Sequence, residues 1–223
     1  MATPQGISLG ASQHGHDDGD LVPAIRPARP DEIPEVGRLI AVSFNDLAPN
    51  AYLVPPLSER VDVMADFFTL MTSYAQAQGR VDVVALDSGM VAAAVWFDVT
   101  QQPLEPADYE ERLAELAGPY RPNFDALDEL FSKHHPHDPH WHLAFLAVLP
   151  GYQHHRLGSA LMRRTYEELD RAEVPTFLEA TNEQNIRLYR RHGYADMDPF
   201  VIRLPDGAPF YRMWRPVRGA ASD

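Results

Sequence analysis

Three groups of side chains in this sequence have types and spacings suited to chemistry. Residues 151–160 read Gly-Tyr-Gln-His-His-Arg-Leu-Gly-Ser-Ala and follow directly on an apolar run at 143–148. A turn of small residues between a strand and a helix aims backbone N–H groups at an anion, and the helix dipole adds to the attraction. Glu179 stands in the apolar stretch Phe177-Leu178-Glu179-Ala180-Thr181. Burial there would raise its pKa and make it a base near neutrality, whereas at a strand end, exposed or paired with an arginine, it would be ordinary. His142, opening the strand before the turn, is a rival base through its near-neutral pKa. A chain of waters with no dedicated base is a third arrangement. The remaining group is the run from His134 to His142, with five imidazoles besides Asp138 and Trp141. Imidazole and carboxylate are good metal ligands. Two prolines keep this run extended, however, and no helical pair of histidines or partner ligand supports a centre. It reads as a surface connector leading into the strand, with no metal bound.

The elements that must position these groups are legible in the periodicity. Residues 143–148 form a strand closed by Leu149-Pro150, and Leu157, Leu161, Thr165 and Leu169 mark one stripe of the helix that follows. After the strand around Glu179, Asn182 suits an N-cap, Ile186 and Tyr189 share one helix face, and Gly193 suits a left-handed C-terminal cap. Upstream, residues 24–27 predict a first strand, and Pro30-Asp31-Glu32 opens a helix to about Phe44. A second helix is predicted over 57–78, and a hairpin pairs 81–85 with 90–98 through Asp87-Ser88-Gly89. Helices over 105–116 and 124–131 are separated by the breakers Pro119 and Pro122, and strands at 199–204 and 210–216 close the chain around Pro205-Asp206-Gly207. No internal repeat is present. This mixture predicts an α/β fold with a mixed, mostly antiparallel sheet.

The turn and the later helix together carry a resemblance. Gln153 through Ala160 resembles the acyl-CoA pyrophosphate loop of the GNAT superfamily of N-acetyltransferases, and Asn182 through Tyr194 resembles that superfamily's later motif of Asn, a helical Tyr, and Gly-Phe/Tyr. Residues 91–96, 139–141, 174–179 and 185–194 are similar to the puromycin N-acetyltransferase branch. That similarity runs over about 24–217 and is poor between about 44 and 80, where such enzymes choose their substrates.

The resemblance implies the GNAT-like fold, helices flanking the central sheet, and acetyl-CoA as cosubstrate. It implies that the main chain at Leu146, Ala147 and Val148 pairs with the pantetheine amides. The turn of Gln153, His154, His155, Arg156, Leu157, Gly158 and Ser159 then holds the pyrophosphate, and Asn182 and Asn185 lie near the cofactor arm. Tyr189 falls where the family places the acid that protonates the departing thiolate and is the first choice for that role; the alternative is an aromatic packing residue on its helix. Glu179 is the first choice for the acceptor of the amine proton. Arg156 departs from the pattern, since it replaces the first glycine of the loop. Either it takes a helical φ and adds a guanidinium to phosphate, or the loop has drifted and binds cofactor poorly.

The reaction so implied is acetyl transfer to a primary amine of a small molecule by direct attack in a ternary complex. The alternatives are a protein or peptide N-acetyltransferase, which needs an open groove, and a non-catalytic acyl-CoA-binding module.

Composition sets bounds on these readings. The chain has 223 residues, 45% of them hydrophobic, with no cysteine and a formal net charge of −13. Without cysteine there is no disulfide, no acetyl-cysteine intermediate and no thiolate-held zinc, which suits a cytoplasmic setting. The acidity argues against nucleic acid, which needs a basic face, and suits a cationic substrate. No run is long enough to span a membrane. Residues 1–22 predict a disordered tail, in which the His14 and His16 pair lacks fixed metal geometry. One domain is expected over 23–218, with a short tail at 219–223, as a monomer or homodimer.

Overall fold

The computed structural model describes residues 24–101 and 106–217. The two terminal tails, the His14 and His16 pair and Glu105 therefore lie outside the described residues. In chain order the elements are β1 (Ile25–Pro27), α1 (Ile33–Phe44), α2 (Ala48–Leu53), α3 (Leu57–Gln78), β2 (Gly79–Leu86) and β3 (Gly89–Val99). They continue with α4 (Tyr109–Ala117), α5 (Arg121–His134), β4 (His140–Val148), α6 (Leu157–Arg171), β5 (Thr176–Ala180), α7 (Glu183–Arg191), β6 (Ala195–Arg203) and β7 (Pro209–Arg215). One seven-stranded sheet runs in the order β1-β2-β3-β4-β5-β7-β6, and only the β4–β5 contact is parallel. The mixed, mostly antiparallel sheet is therefore as the sequence predicts.

Helices cover both faces of this sheet. Along β3, Ala93 and Val95 join the core formed with α1 to α5, while Ala92, Ala94 and Trp96 join the core formed with α6 and α7. Alternate residues thus serve opposite faces. A strand buried on both sides must be apolar throughout, which is why residues 90–96 show no polar alternation. The stripe predicted on α6 is the buried one, because Leu157, Leu161, Thr165 and Leu169 are all buried.

Three differences from the sequence reading have physical causes. α5 starts at Arg121, with Pro122 in its first turn, where a missing N–H costs no intrahelical bond; Pro122 thus opens this helix and does not break it. α2 was not anticipated, being too short for a periodic signal. The run from His134 to His142 is not a surface connector, since His134 ends α5, residues 140–142 begin β4, and His140 is 0% exposed.

Candidate active site

Strand β4 separates from its parallel neighbour, and the separation makes the site. β4 pairs with β5 only at Trp141 with Thr176 and at His142 with Phe177. Beyond His142 its edge on that side has no strand partner among the described residues. On the other side, Val95 of β3 faces Phe145 while Trp96 faces Leu143, so Ala144 is an extra residue on β4. A bulge of this kind bends its strand and sharpens the local twist. The free edge beyond it presents main-chain donors and acceptors to which an extended amide chain can add as a strand.

A cleft of about 430 Å³ lies along this edge, between β4 and the N-terminal ends of α6 and α7. Leu146 and Val148 line it from β4, whereas Ala147 points into the core on the opposite sheet face. From the turn, Gln153, His154, Arg156, Leu157, Gly158 and Ser159 line it, and Asn182, Asn185 and Tyr189 close the far wall. His155 is outside this wall: its ring donates from Nδ1 to the Gln153 carbonyl at 2.9 Å. The structure thus brings together all the predicted cofactor residues except the side chains of Ala147 and His155. Ser43, Phe44 and Leu47 complete the cleft, at or just past the end of α1. The sequence reading missed them because that wall is defined only by tertiary packing.

The turn leaves the start of α6 open. Arg156 stands at the N-cap of α6 without a side-chain cap, so the first-turn N–H groups have no capping acceptor. Its backbone is left-handed, with φ 63° and ψ 11°. The expected helical φ is therefore incorrect, and Arg156 holds a conformation that glycine adopts more readily. His154 is left-handed as well, at φ 67°. The Arg156 and Arg191 guanidiniums make no hydrogen bond or ion pair among the described residues, and both line the cleft. In a chain of net charge −13, two free cations beside uncapped N–H groups suit a phosphate-bearing ligand. A CoA-type cosubstrate fits these residues: the turn suits its phosphates and the open β4 edge suits its amides. On α7, Asn182 accepts from the Asn185 N–H at 2.9 Å, the cap that the sequence predicts. This cap fixes the start of the helix that carries Tyr189.

Tyr189 packs against Tyr194, with ring centroids 5.8 Å apart. Its hydroxyl has no hydrogen-bond partner among the described residues, although the ring is buried. Burial pushes its pKa upward, so the phenol keeps its proton at neutral pH.

A second cavity, of about 290 Å³, opens on the other side of the bulge and shares Phe44 and Leu47 with the cleft. Most of its wall is aliphatic and aromatic, including Phe67, Phe68, Phe97, Phe145 and Phe210. The two rival bases of the sequence reading meet here: His142 Nε2 donates to Glu179 Oε2 at 2.8 Å. Strand register explains the meeting. His142 pairs with Phe177, and Glu179 lies two residues farther along the same face of β5. A neutral imidazole that donates from Nε2 keeps a lone pair on Nδ1. That nitrogen has no hydrogen-bond partner among the described residues.

His135 lines the same cavity, and burial lowers its pKa to about 3. Asp128 also lines it and was missed in the sequence. Its signal was available: Phe124, Leu127, Asp128 and Phe131 occupy the i, i+3, i+4 and i+7 positions of one helix stripe. Among the described residues no group of three or more His, Cys, Asp or Glu could hold a metal ion.

Residues 120–194 match the family model of the acetyltransferase (GNAT) family. The fold is similar to a solved structure of histone acetyltransferase HPA2 and related acetyltransferase from Corynebacterium glutamicum. That likeness has TM-score 0.64 and 21% identity, covering 90% of this chain and 99% of that one. Arylalkylamine N-acetyltransferase 2 from Aedes aegypti is similar at TM-score 0.56 and 13% identity, over 87% and 99% of the two chains. PaiA N-acetyltransferase from Thermoplasma acidophilum, solved in complex with coenzyme A, is similar at TM-score 0.52 and 12% identity, over 86% and 98%. The match spans the α5-to-α7 half of the site, and these structural likenesses establish the fold.

Proposed function

We propose that this protein is an N-acetyltransferase that moves the acetyl group of acetyl-CoA to a primary amine of a small molecule, with both substrates bound at once. The observation that carries the reading is the placement of opposite proton-handling groups on either side of the β4 opening. The His142–Glu179 pair faces the apolar cavity, and Tyr189 faces the phosphate-suited cleft. A walled cavity suits a small acceptor better than a peptide, which would need an open groove.

An alkylamine is mostly protonated at neutral pH, and only its neutral form attacks. His142 Nδ1 accepts the amine proton while Glu179 holds the ring and stabilises the charge that develops on it, as carboxylate–imidazole pairs do. When bound, acetyl-CoA supplies the thioester whose acetyl carbon moves to nitrogen. Tyr189 donates its phenolic proton on the leaving-group side, where a thiol of pKa about 8.5 departs more easily protonated. Leu146 and Val148 fix the pantetheine arm along the β4 edge, and Arg156 with the first turn of α6 fixes the phosphate end.

Tyr189→Phe tests this directly, because it keeps the ring against Tyr194 and removes only the transferable proton. Thiol release from acetyl-CoA in the presence of a panel of amines should fall about 10²–10⁴-fold, the range for a positioned acid. CoA affinity by calorimetry and melting temperature should change little. Near-full activity in the variant would return Tyr189 to a packing role. Binding of CoA by the native chain without turnover on any amine would instead favour a non-catalytic binding module.

A further inference from the structure

The apolar cavity contains one feature that neither the transfer chemistry nor apolar packing uses. Asp128 projects from α5 among aromatic walls, and only one of its oxygens is engaged: Tyr109 donates to Oδ2 at 2.9 Å. Oδ1 has no hydrogen-bond partner among the described residues, and it is not sealed from solvent. Arg121, whose charge acts on Asp128, makes its own hydrogen bonds to Asp125 and Glu110 and none to Asp128. Both of those carboxylates also raise the negative potential at Asp128. A carboxylate placed on the buried stripe of a helix costs stability by desolvation unless a partner completes it. Here the protein supplies half a partner and leaves the other half facing the cavity.

We propose that Asp128 is a specificity residue that receives a second, cationic group of the acceptor, so that the preferred substrate is an amine with an apolar, ring-sized body and a further ammonium or guanidinium-like group at its far end. This assignment rests on the acetyltransferase reading and deepens it. One nitrogen reaches the His142–Glu179 pair and is acetylated, the apolar body fills the space among Phe67, Phe68 and Phe145, and the other cation pairs with Asp128. Burial raises the Asp128 pKa to about 6, so the carboxylate is mostly ionised at neutral pH, and a bound cation would hold it so. The cavity of about 290 Å³ lies at the small end of ligand sites and fits one ring with short arms.

The test is a pair of nearly isosteric acceptors, 4-(aminomethyl)benzylamine and 4-ethylbenzylamine, together with the homologous pair lengthened by one methylene. The native chain should show a KM at least about tenfold lower for one diamine than for its ethyl partner, as a charge-assisted contact implies. Asp128→Asn keeps an acceptor for the Tyr109 hydroxyl. It should erase that preference by raising KM for the diamine toward that of its ethyl partner, with cooperative thermal unfolding retained. Equal KM values for both members of both pairs in the native chain would overturn the inference and leave the acetyltransferase reading standing. A diamine preference that survives Asp128→Asn would also overturn it. Absence of thiol release with every amine would remove the acetyltransferase reading, and this inference with it.

Discussion

At the scale of single residues, Arg156 is a point of backbone tension. A non-glycine residue held at φ 63° is strained by roughly 1–2 kcal/mol. Such strain persists only where its surroundings impose it, often at a ligand clamp. If the guanidinium binds phosphate, Arg156→Gly should have two opposite effects. Melting temperature of the free protein should rise, reflecting about 1 kcal/mol of relieved strain. CoA affinity by calorimetry should fall about tenfold or more through loss of a charge-assisted contact. A variant that is more stable and binds CoA equally well or better would show that Arg156 merely tolerates the position.

At the scale of elements, the walls of the site depend on how closely α1 lies on α3. A Cβ built on Gly37 of α1 would collide with the Thr69 hydroxyl and lie 2.7 Å from Thr69 N and 2.8 Å from the Ala65 carbonyl. Two of those three atoms are backbone, so the helices must separate to admit a methyl group. Helix propensity alone favours alanine over glycine by about 1 kcal/mol. The clash should nonetheless win, and Gly37→Ala should destabilise the protein by roughly 1–3 kcal/mol in denaturant unfolding. Because α1 ends at Phe44, which borders both the cleft and the cavity, the same variant should raise KM for amine and cosubstrate alike. A stabilised variant would mean that propensity outweighs the contact.

At the scale of the whole molecule, folding places His135, His140 and His192 where burial disfavours their charged form. Burial lowers the pKa of His135 to about 3, from an ordinary 6.5, and lowers those of His140 and His192 as well. The unfolded chain therefore takes up protons below pH 6.5 that the folded chain refuses. Stability from these groups is complete above that pH and is lost as pH falls toward the folded values. Asp128 acts in the opposite sense, since its raised pKa favours the folded state at low pH. The imidazole contribution can be isolated with His135→Asn: the melting temperature of the native chain should fall more steeply than that of the variant between pH 7 and pH 5. Parallel profiles would place the His135 ring in solvent contact rather than in the cavity wall.

The local elements were legible because each has a signal within a few residues. The stripe on α6, the Asn182 cap of α7, the bounds of α3 and the hairpin of β2 and β3 follow from side-chain period and turn chemistry alone. The position of residues 153–159 at a strand-to-helix turn and of Tyr189 on α7 was legible for the same reason, since both belong to contiguous motifs, whereas their chemical roles were implied by the resemblance alone. The pairing of the two candidate bases was not legible in this way. His142 and Glu179 are 37 residues apart, and sequence offered them as rivals. Parallel register on a strand that bends at Ala144 makes them a hydrogen-bonded pair. Asp128 likewise read as one polar residue on a helix until α4, α5 and the bulged strand enclosed it. A motif fixes backbone shape through near neighbours, whereas a cavity is the space left when distant elements pack, and no local period encodes that space.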